Sequence, residues 1–205
     1  MTLQNRVLPT GEIITDPARG SLTGNRGILH DDQHRLGTRR WTHPHWITCV
    51  LQFRGRSRSP MSHGAYTELF FLDEAVACAA GHRPCAECRN EDFRAFKTAW
   101  AKGTGLPADA GSMDRALHAS RVTRDRRQVR HCTQVAALPD GAFVLHKNYP
   151  HLWLAGYLHA YGTTGYGPLT PPVDTIVTVL TPAPMIAAMG AGFRPRIHLS
   201  AIGQQ

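Results

Sequence analysis

The amino-acid sequence predicts an α+β fold, with a loop-rich N-terminal α+β part followed by a β-rich C-terminal half. Turn-forming residues are frequent in the first 40 positions, which predicts loops joined by short strands. Phe93, Phe96 and Trp100 recur at the spacing of one helix face. Beyond the Pro-Asp-Gly turn at 139–141, charged residues become rare and strand-like segments appear.

The first part also contains two predicted strands and a short helix. Residues 46–53 are apolar and rich in β-formers, which predicts a buried strand. A basic loop over 54–64 separates it from a second strand at 66–72. Asp73 is a favourable N-cap for the short helix that follows, and Gly81 ends that helix.

Two longer helices and several strands complete the prediction. The first helix has Asn90 as its N-cap and ends near Gly103, and the second begins at Ser112 and ends near Arg121. The C-terminal half is predicted to contain strands at 142–146, 151–158 and 175–180, with a long Gly/Pro/Thr loop over 162–172. We expect two parts, 1–111 and 112–205, packed together as one compact unit.

The composition favours a folded cytoplasmic protein without a membrane partner. Hydrophobic residues make up 42% of the chain and charged residues 19%, which is sufficient for a packed core. No apolar run approaches the roughly 20 residues that span a bilayer. The first residues lack the basic segment, apolar run and cleavage site of a signal peptide.

Cys85 and Cys88 form a Cys-x-x-Cys pair, and in a reducing compartment this pattern favours metal binding over a disulfide framework. Zn²⁺ takes four ligands in a tetrahedron, and a turn stiffened by proline brings two such thiolates to one ion. Cys49 and His63 are the expected further ligands; the alternatives are His43, His45 and His82. Three protein ligands would leave a position for a reactive water, whereas four would make the site structural. A redox pair and simply packed thiols stay open as alternatives.

The segment 70–89 resembles the second half of the metal-binding domain of the Ada DNA-repair protein. It has the same order of a Phe-Phe strand end, an Ala-rich helix and a Gly-aromatic-Arg-Pro-Cys-x-x-Cys knuckle, here ending in Cys85 and Cys88. The resemblance implies a zinc knuckle. The whole chain also resembles uncharacterised bacterial proteins of similar length. The Cys-x-x-x-Cys that supplies the methyl acceptor in Ada is missing, and Cys49 lies in a segment predicted to be buried, so we expect no methyl-acceptor activity.

Arginine dominates the basic residues and is clustered. The net charge is +8, and Lys+Arg number 23, of which all but Lys97, Lys102 and Lys147 are Arg. Mixed with tryptophan and phenylalanine, such clusters are typical of surfaces that contact phosphates and stack bases. The predicted nucleic-acid contacts are Arg39, Arg40, Arg54, Arg56, Arg58, Arg126 and Arg127. A GC-rich genome and an ordinary solvated surface are the alternative explanations.

Glu68, His30 and Asp31 are candidate catalytic residues. Glu68 lies close in sequence to the knuckle and could act as a general acid or base, or pair with a loop arginine. His30 and His34 are four apart with Asp31 and Asp32 between them, a spacing that on a helix would direct both rings at one ion. Gly24 and Gly27 just upstream favour a loop instead, and in a chain with 12 histidines such a spacing also arises by chance.

Three functions are compatible with these features. The first is a zinc protein that binds or acts on nucleic acid, with salt-dependent binding. The second is a metalloenzyme that acts on a small anionic substrate, which requires an open metal position in a deep pocket. The third is a zinc-stabilised interaction module without catalysis.

Overall fold

The computed structural model describes residues 2–55, 58–172 and 175–203 and confirms the α+β class. Within these residues it contains two six-stranded sheets and five α-helices. No helix in this part of the chain has the length and apolar character to cross a lipid bilayer.

The first sheet is built from the N-terminal 84 residues. Its strands are β1 Gln4–Val7, β2 Ile13–Thr15, β3 Leu22–Asn25, β4 Ile47–Val50, β5 Leu69–Phe71 and β6 Arg83–Pro84. Their order is β2-β1-β5-β3-β4-β6, with parallel pairing of β1 with β5 and of β4 with β6. The predicted strand at 46–53 is therefore shorter than expected. It is also less buried, since Leu51 after its end is 50% exposed.

The first two helices follow the predictions closely. Helix α1 is Glu74–Ala79, and the Asp73 carboxylate accepts a hydrogen bond from the Val76 amide, as expected of its N-cap. Helix α2 is Asn90–Thr104; Arg89, rather than Asn90, holds its N-cap position. Two members of its apolar face, Phe96 and Trp100, are completely buried. The sequence pattern therefore identified this helix and its inner face correctly.

Three helices follow α2. Helix α3 is Ala110–Arg121, and its cap is Asp109, whose carboxylate accepts from the Ser112 amide. The predicted boundary between 111 and 112 falls inside this helix. Helix α4 is Ala183–Gly190 and packs on α2, and α5 is Leu199–Ile202.

The second sheet is antiparallel and belongs to the C-terminal half. Its strands are β7 His131–Gln134, β8 Phe143–His146, β9 Tyr149–Leu154, β10 Tyr157–Gly162, β11 Gly165–Thr170 and β12 Ile176–Val179, in the order β11-β10-β9-β8-β12-β7. Two predictions need correction here. The segment 151–158 is a hairpin that turns at Ala155 and Gly156, and the expected loop at 162–172 contains β11.

The two sheets and helix α1 share one apolar core. Phe71 of the first sheet and Phe143 of the second are both fully buried in the same cluster. A second cluster joins α2, α3 and α4 around Trp100 and Met113. Burial of this kind is the main stabilising term in folding, so the strands and loops that carry the functional side chains are held by a common framework.

Candidate metal centre

Strand pairing brings Cys49 next to Cys85. Strands β4 and β6 run parallel, with Thr48 opposite Pro84. The residues that follow them, Cys49 and Cys85, therefore lie at the same level. The Cys85 amide donates to the Thr48 carbonyl oxygen at 2.9 Å, which fixes this register just beyond β6. A turn then returns Cys88 to the same place, closed by the Arg89 amide donating to the Cys85 carbonyl oxygen at 3.2 Å.

The three thiols form a group of metal-ligand geometry. The Sγ atoms of Cys49, Cys85 and Cys88 all lie within 4.8 Å of one another. Tetrahedral coordination with Zn–S bonds of about 2.3 Å would place the sulfurs about 3.8 Å apart, so small side-chain rotations suffice. The three cysteines are therefore close enough to hold a metal ion.

Backbone amides and the neighbouring thiols prepare Cys85 to be a thiolate. Its pKa is lowered to about 5, first by the hydrogen bond from the Cys49 thiol and then by the amides of Cys88 and Glu87. The Glu87 amide nitrogen lies 3.4 Å from the Cys85 sulfur. The pKa of Cys49 is raised in turn, chiefly because it is hydrogen-bonded to Cys85. The thiolate is the form of cysteine that binds metals, and a metal ion would take the place of the shared protons.

A cavity of about 650 Å³ adjoins the three thiols. Cys49 is one of the residues that line it and is only partly buried, which corrects the expectation of a buried thiol. Arg58, Tyr66 and Glu68 line the same cavity, and the Arg58 guanidinium carbon lies 4.2 Å from the centre of the Tyr66 ring. The sulfur cluster is thus accessible to a small molecule that enters this cavity.

Glu68 is held in place by the basic loop. The Nε group of Arg58 donates to Oε1 of Glu68 at 2.8 Å, and the Met61 amide donates to Oε2 at 2.7 Å. Glu68 thus pairs with a loop arginine, and it also lines the cavity next to the cysteines. The two hydrogen bonds from Arg58 and Met61 fix the orientation of the Glu68 carboxylate beside the cavity.

His63 is not a member of the cysteine group. Its Nδ1 atom lies 2.6 Å from Oδ1 of Asp32, and both side chains are exposed. The alternative histidines are also occupied elsewhere: the His82 ring is buried against Phe71, and Nδ1 of His45 lies 2.8 Å from Oδ2 of Asp114. Within the described residues, the group that fits a metal consists of the three cysteines.

His30 and Asp31 lie in a loop, which removes the basis for a shared helical ligand site. Nδ1 of His30 lies 2.7 Å from the Thr67 hydroxyl oxygen. The Asp31 carboxylate accepts from the Gln33 and Arg35 amides and forms an ion pair with the Arg35 side chain. Because this segment is not a helix, the spacing of four residues between His30 and His34 does not place both rings on one helix face.

The structure brings together some of the predicted arginines from two distant segments of the chain, Arg39 and Arg40 from one and Arg126 and Arg127 from the other. Arg40, Arg126 and Arg127 line one cavity, and Arg39 joins Arg40 and Arg126 in an adjoining one. The Arg126 guanidinium donates to the Thr38 carbonyl oxygen at 2.7 Å, which ties the two segments together. The remaining predicted contacts lie elsewhere: Arg58 is at the cysteine cavity, the exposed Arg54 lies by Phe53, and Arg56 is outside the described residues.

Four further arginines among the described residues line these two cavities and were not among the predicted contacts: Arg26, Arg121, Arg124 and Arg130. Arg26 is 2% exposed and lines the same cavity as Arg40. An isolated arginine in a Gly-rich segment gives no local signal, because its neighbours in space come from distant segments.

The chain matches no protein-family model, no curated protein and no solved structure. The site therefore has to be interpreted from its own geometry.

Proposed function

We propose that the protein binds zinc through Cys49, Cys85 and Cys88, leaves a fourth coordination position open, and binds nucleic acid. The observation that carries the metal proposal is the set of three Sγ atoms within 4.8 Å of one another. Zinc is the metal we favour because thiolate sites in reducing compartments select it and because it needs no redox partner. Free thiolates of this kind also favour a cytoplasmic location.

The resemblance to the Ada metal-binding domain supports a zinc knuckle at Cys85 and Cys88. The turn between them, the amide directed at the Cys85 sulfur and the preceding helix α1 agree with that proposal. Cys49 follows Thr48 on β4, the strand that pairs with β6. It would supply a third ligand in place of the upstream Cys-x-x-x-Cys pair that this chain lacks. The proposed centre is therefore a three-cysteine site, and its fourth ligand would be water or a molecule in the cavity.

Metal analysis tests this proposal. Protein purified without chelator should contain about one zinc per chain, and both Cys85→Ser and Cys88→Ser should lose it. Cys132→Ser is the matched control, because Cys132 is exposed on β7, outside the cysteine group. Purified wild-type protein that contains no transition metal would contradict the proposal.

The arginine surface supports the proposal of nucleic-acid binding. Arg39, Arg40, Arg126 and Arg127 come from two separate segments and line adjoining cavities. Arginine forms bidentate contacts with phosphate, and several such contacts make binding strong and salt-dependent. Fluorescence anisotropy with labelled single- and double-stranded DNA and RNA at low salt measures it; no binding at micromolar protein would refute it.

A metalloenzyme that acts on a small anionic substrate is the second candidate. The observation that favours it is the presence of Arg58 and Glu68 in the cavity of the three thiols. An arginine can hold an anion beside a metal-bound water, and a carboxylate can accept its proton. Substitution of Co²⁺ for zinc gives a visible spectrum that reports the fourth ligand. A spectral change with small anions, lost in Arg58→Gln, would support this candidate over a closed structural site.

A further inference from the structure

Arg26 and Arg121 are buried over the same aromatic ring. Each is 2% exposed, and their guanidinium carbons lie 4.0 and 3.9 Å from the centre of the Trp46 ring. Arg26 directly follows β3, and Arg121 is the last residue of α3. Two like charges are thereby held near each other where water screens them poorly.

Neither guanidinium has a carboxylate partner among the described residues. Arg26 donates to the Gly11 carbonyl oxygen at 3.0 Å and to Nε2 of His82 at 3.4 Å, and Arg121 donates to two backbone carbonyl oxygens at 2.6 Å. The buried NH2 group of Arg26 and the buried Nε group of Arg121 have no acceptor. Leaving charged donors buried and unsatisfied is costly.

Two other buried arginines, Arg83 and Arg89, are paired with carboxylates, whereas the buried Arg6 also has side-chain nitrogens without an acceptor. Arg83 forms two hydrogen bonds of 2.8 Å with the Asp114 carboxylate. Arg89 contacts the Glu74 carboxylate at 2.5 Å. Arg83 and Arg89 thus have carboxylate partners, whereas among the described residues no carboxylate is hydrogen-bonded to the pair at Trp46.

Both side chains line a cavity of about 400 Å³, within the size range of small-molecule sites. Arg126, Arg127 and Arg130 form part of its exposed rim, together with Arg40. Among the described residues that line the cavity, Glu12 is the one carboxylate, and it accepts a hydrogen bond from the Thr10 hydroxyl. Six arginines against one acid give the cavity a strongly positive potential.

The lowered pKa values of Arg26 and Arg121 also favour an anion in this cavity. Burial, followed by the charge of Arg40, lowers the pKa of Arg26 to about 9. Burial and the charge of Arg26 also lower the pKa of Arg121 well below its ordinary value. The main cause of both shifts is burial of the positive charge; the Asp114 charge offsets part of it for Arg121, and an anion in the cavity would offset more.

We propose that this cavity binds the phosphate group of a phosphomonoester, with Arg26 and Arg121 at its floor and Arg40 and Arg127 at its rim. A phosphomonoester carries close to two negative charges at neutral pH and offers several acceptor oxygens, which matches multiple guanidinium groups better than one carboxylate does. The volume leaves room for the group esterified to the phosphate, and Trp41 at the wall offers an aromatic surface to it.

This site and the metal centre lie on opposite faces of the first sheet. Asn25 and Ile47 line the cysteine cavity, whereas their chain neighbours Arg26 and Trp46 line the arginine cavity. Side chains alternate between the two faces of a strand, and the two cavities share no lining residue among those described. The phosphate site therefore goes beyond the proposed function, and rests on it only where the phosphate belongs to a nucleic-acid strand.

The test is a titration of the full-length, zinc-loaded protein with inorganic phosphate and with adenosine monophosphate. Sodium chloride at matched ionic strength is the reference. We expect saturable binding by calorimetry and a rise in the melting temperature with either phosphate compound but not with chloride. If phosphate stabilises the protein no more than chloride does, the inference is wrong.

Variants at the rim and at the floor localise the effect. Arg40→Gln combined with Arg127→Gln should weaken phosphate binding about tenfold or more, while Arg94→Gln, an exposed position on α2, should bind as the wild type does. Arg26→Met should fold, because it removes an uncompensated buried charge, and should abolish the rise in melting temperature. Wild-type affinity in the rim variant, or an undiminished rise in Arg26→Met, would overturn the proposal.

Oligonucleotides distinguish the two sources of the phosphate. A 5′-phosphorylated strand that displaces adenosine monophosphate about tenfold better than its 5′-hydroxyl counterpart identifies a strand end as the ligand. Displacement by neither strand identifies a small phosphate ester, whereas equal displacement by both would mean that internal phosphodiesters bind and would overturn the assignment to a phosphomonoester. Zinc content and total oligonucleotide binding are measured on the same samples, so failure of the metal or nucleic-acid proposal is seen separately from loss of the phosphate effect.

Discussion

Thr48 lies opposite Pro84 across the parallel strands β4 and β6, and this register places Cys49 beside Cys85. The pairing is short: Ile47 lies opposite Arg83 and Thr48 opposite Pro84, and the Cys85 amide extends it by donating to the Thr48 carbonyl oxygen. The proposed metal centre therefore depends on a non-local contact as well as on the local Cys-x-x-Cys turn. A bound metal would in return stabilise this contact, because it links the two strands through their side chains.

Cys49→Ser should abolish tight zinc binding, even though Cys85 and Cys88 remain. The reason is that a serine hydroxyl is a poor substitute for a thiolate, and two protein ligands hold zinc far less tightly than three. We also expect a lower melting temperature, because the link between β4 and β6 is lost. The measurements are zinc content after dialysis and thermal unfolding of the same samples.

Cys132→Ser is the control for that experiment, since its thiol is exposed and lies 3.8 Å from the Thr178 hydroxyl, outside the cysteine group. It should keep both the zinc and the melting temperature of the wild type. If Cys49→Ser instead keeps a full equivalent of zinc, Cys49 is not a ligand, and Cys85 and Cys88 are the cysteines that hold the metal.

Asp114→Ala should destabilise the protein by about 3–5 kcal/mol, the usual cost of breaking a buried ion pair from one side. Asp114 accepts two hydrogen bonds of 2.8 Å from Arg83, and both side chains are at least 94% buried, since their exposed fractions are 1% and 6%. Without the carboxylate, the Arg83 charge stays buried on β6. Urea unfolding followed by circular dichroism measures the free energy of unfolding.

Asp32→Ala provides the comparison for a surface pair. Asp32 contacts His63, and both side chains are largely exposed, so water screens the contact. Its removal should leave the urea midpoint nearly unchanged. Equal losses of stability in the Asp32 and Asp114 variants would mean that burial does not determine the strength of these pairs.

Local features of the sequence predicted local features of the structure. Asp73 caps α1 because its side chain can reach the amide of Val76 three residues later. Phe96 and Trp100 identified the buried face of α2 because their spacing matches the helical repeat. The Cys-x-x-Cys spacing likewise led to two members of the cysteine group, since both lie in one turn.

Features that depend on distant segments were predicted less well, although Cys49, expected as a further ligand, does lie with the Cys-x-x-Cys pair. Cys49 was expected to be buried in a long strand, but β4 ends at Val50 and the thiol lines a cavity. The turn at Ala155 was missed because alanine rarely adopts a positive φ, here 51°. His63 was proposed as a ligand from its place in a loop, and the path of that loop, which takes it to Asp32, has no signature in the sequence.

Neutralising Arg39, Arg40, Arg126 and Arg127 one at a time should weaken nucleic-acid binding and reduce its salt dependence. Each phosphate contact contributes about 0.7–0.9 to the slope of log K against log salt concentration. A Gln substitution at a contacting position should therefore reduce the slope by roughly that amount. The measurement is anisotropy of a labelled oligonucleotide over a series of salt concentrations.

Arg19→Gln and Arg94→Gln are matched controls, because both arginines are exposed and lie outside the two arginine-lined cavities. Each changes the net charge by the same amount as the test variants. If the controls lower the slope as much as the test variants do, binding follows the total charge of the protein rather than this surface.

Stability should fall as the pH is lowered through about 6.5, and His82 should account for part of the loss. His82 is completely buried, and burial followed by the charges of Arg26 and Arg121 lowers its pKa well below the ordinary value of 6.5. In the unfolded chain the ring takes up a proton near pH 6.5, whereas the folded protein keeps it neutral. The unfolded state thus binds more protons below that pH, and the free energy of unfolding decreases by at most about 1.4 kcal/mol per pH unit for this one group.

His82→Gln isolates this contribution, because glutamine does not titrate and its side-chain oxygen can still accept the hydrogen bond from Nε of Arg26. Urea unfolding at pH 7.0 and pH 5.0 should show a smaller loss of stability in the variant than in the wild type. His43 and His118 also have pKa values lowered by burial, so part of the pH dependence should persist. An identical loss in both proteins would show that His82 takes up its proton in the folded state, and that the positive charges of Arg26 and Arg121 do not keep it neutral.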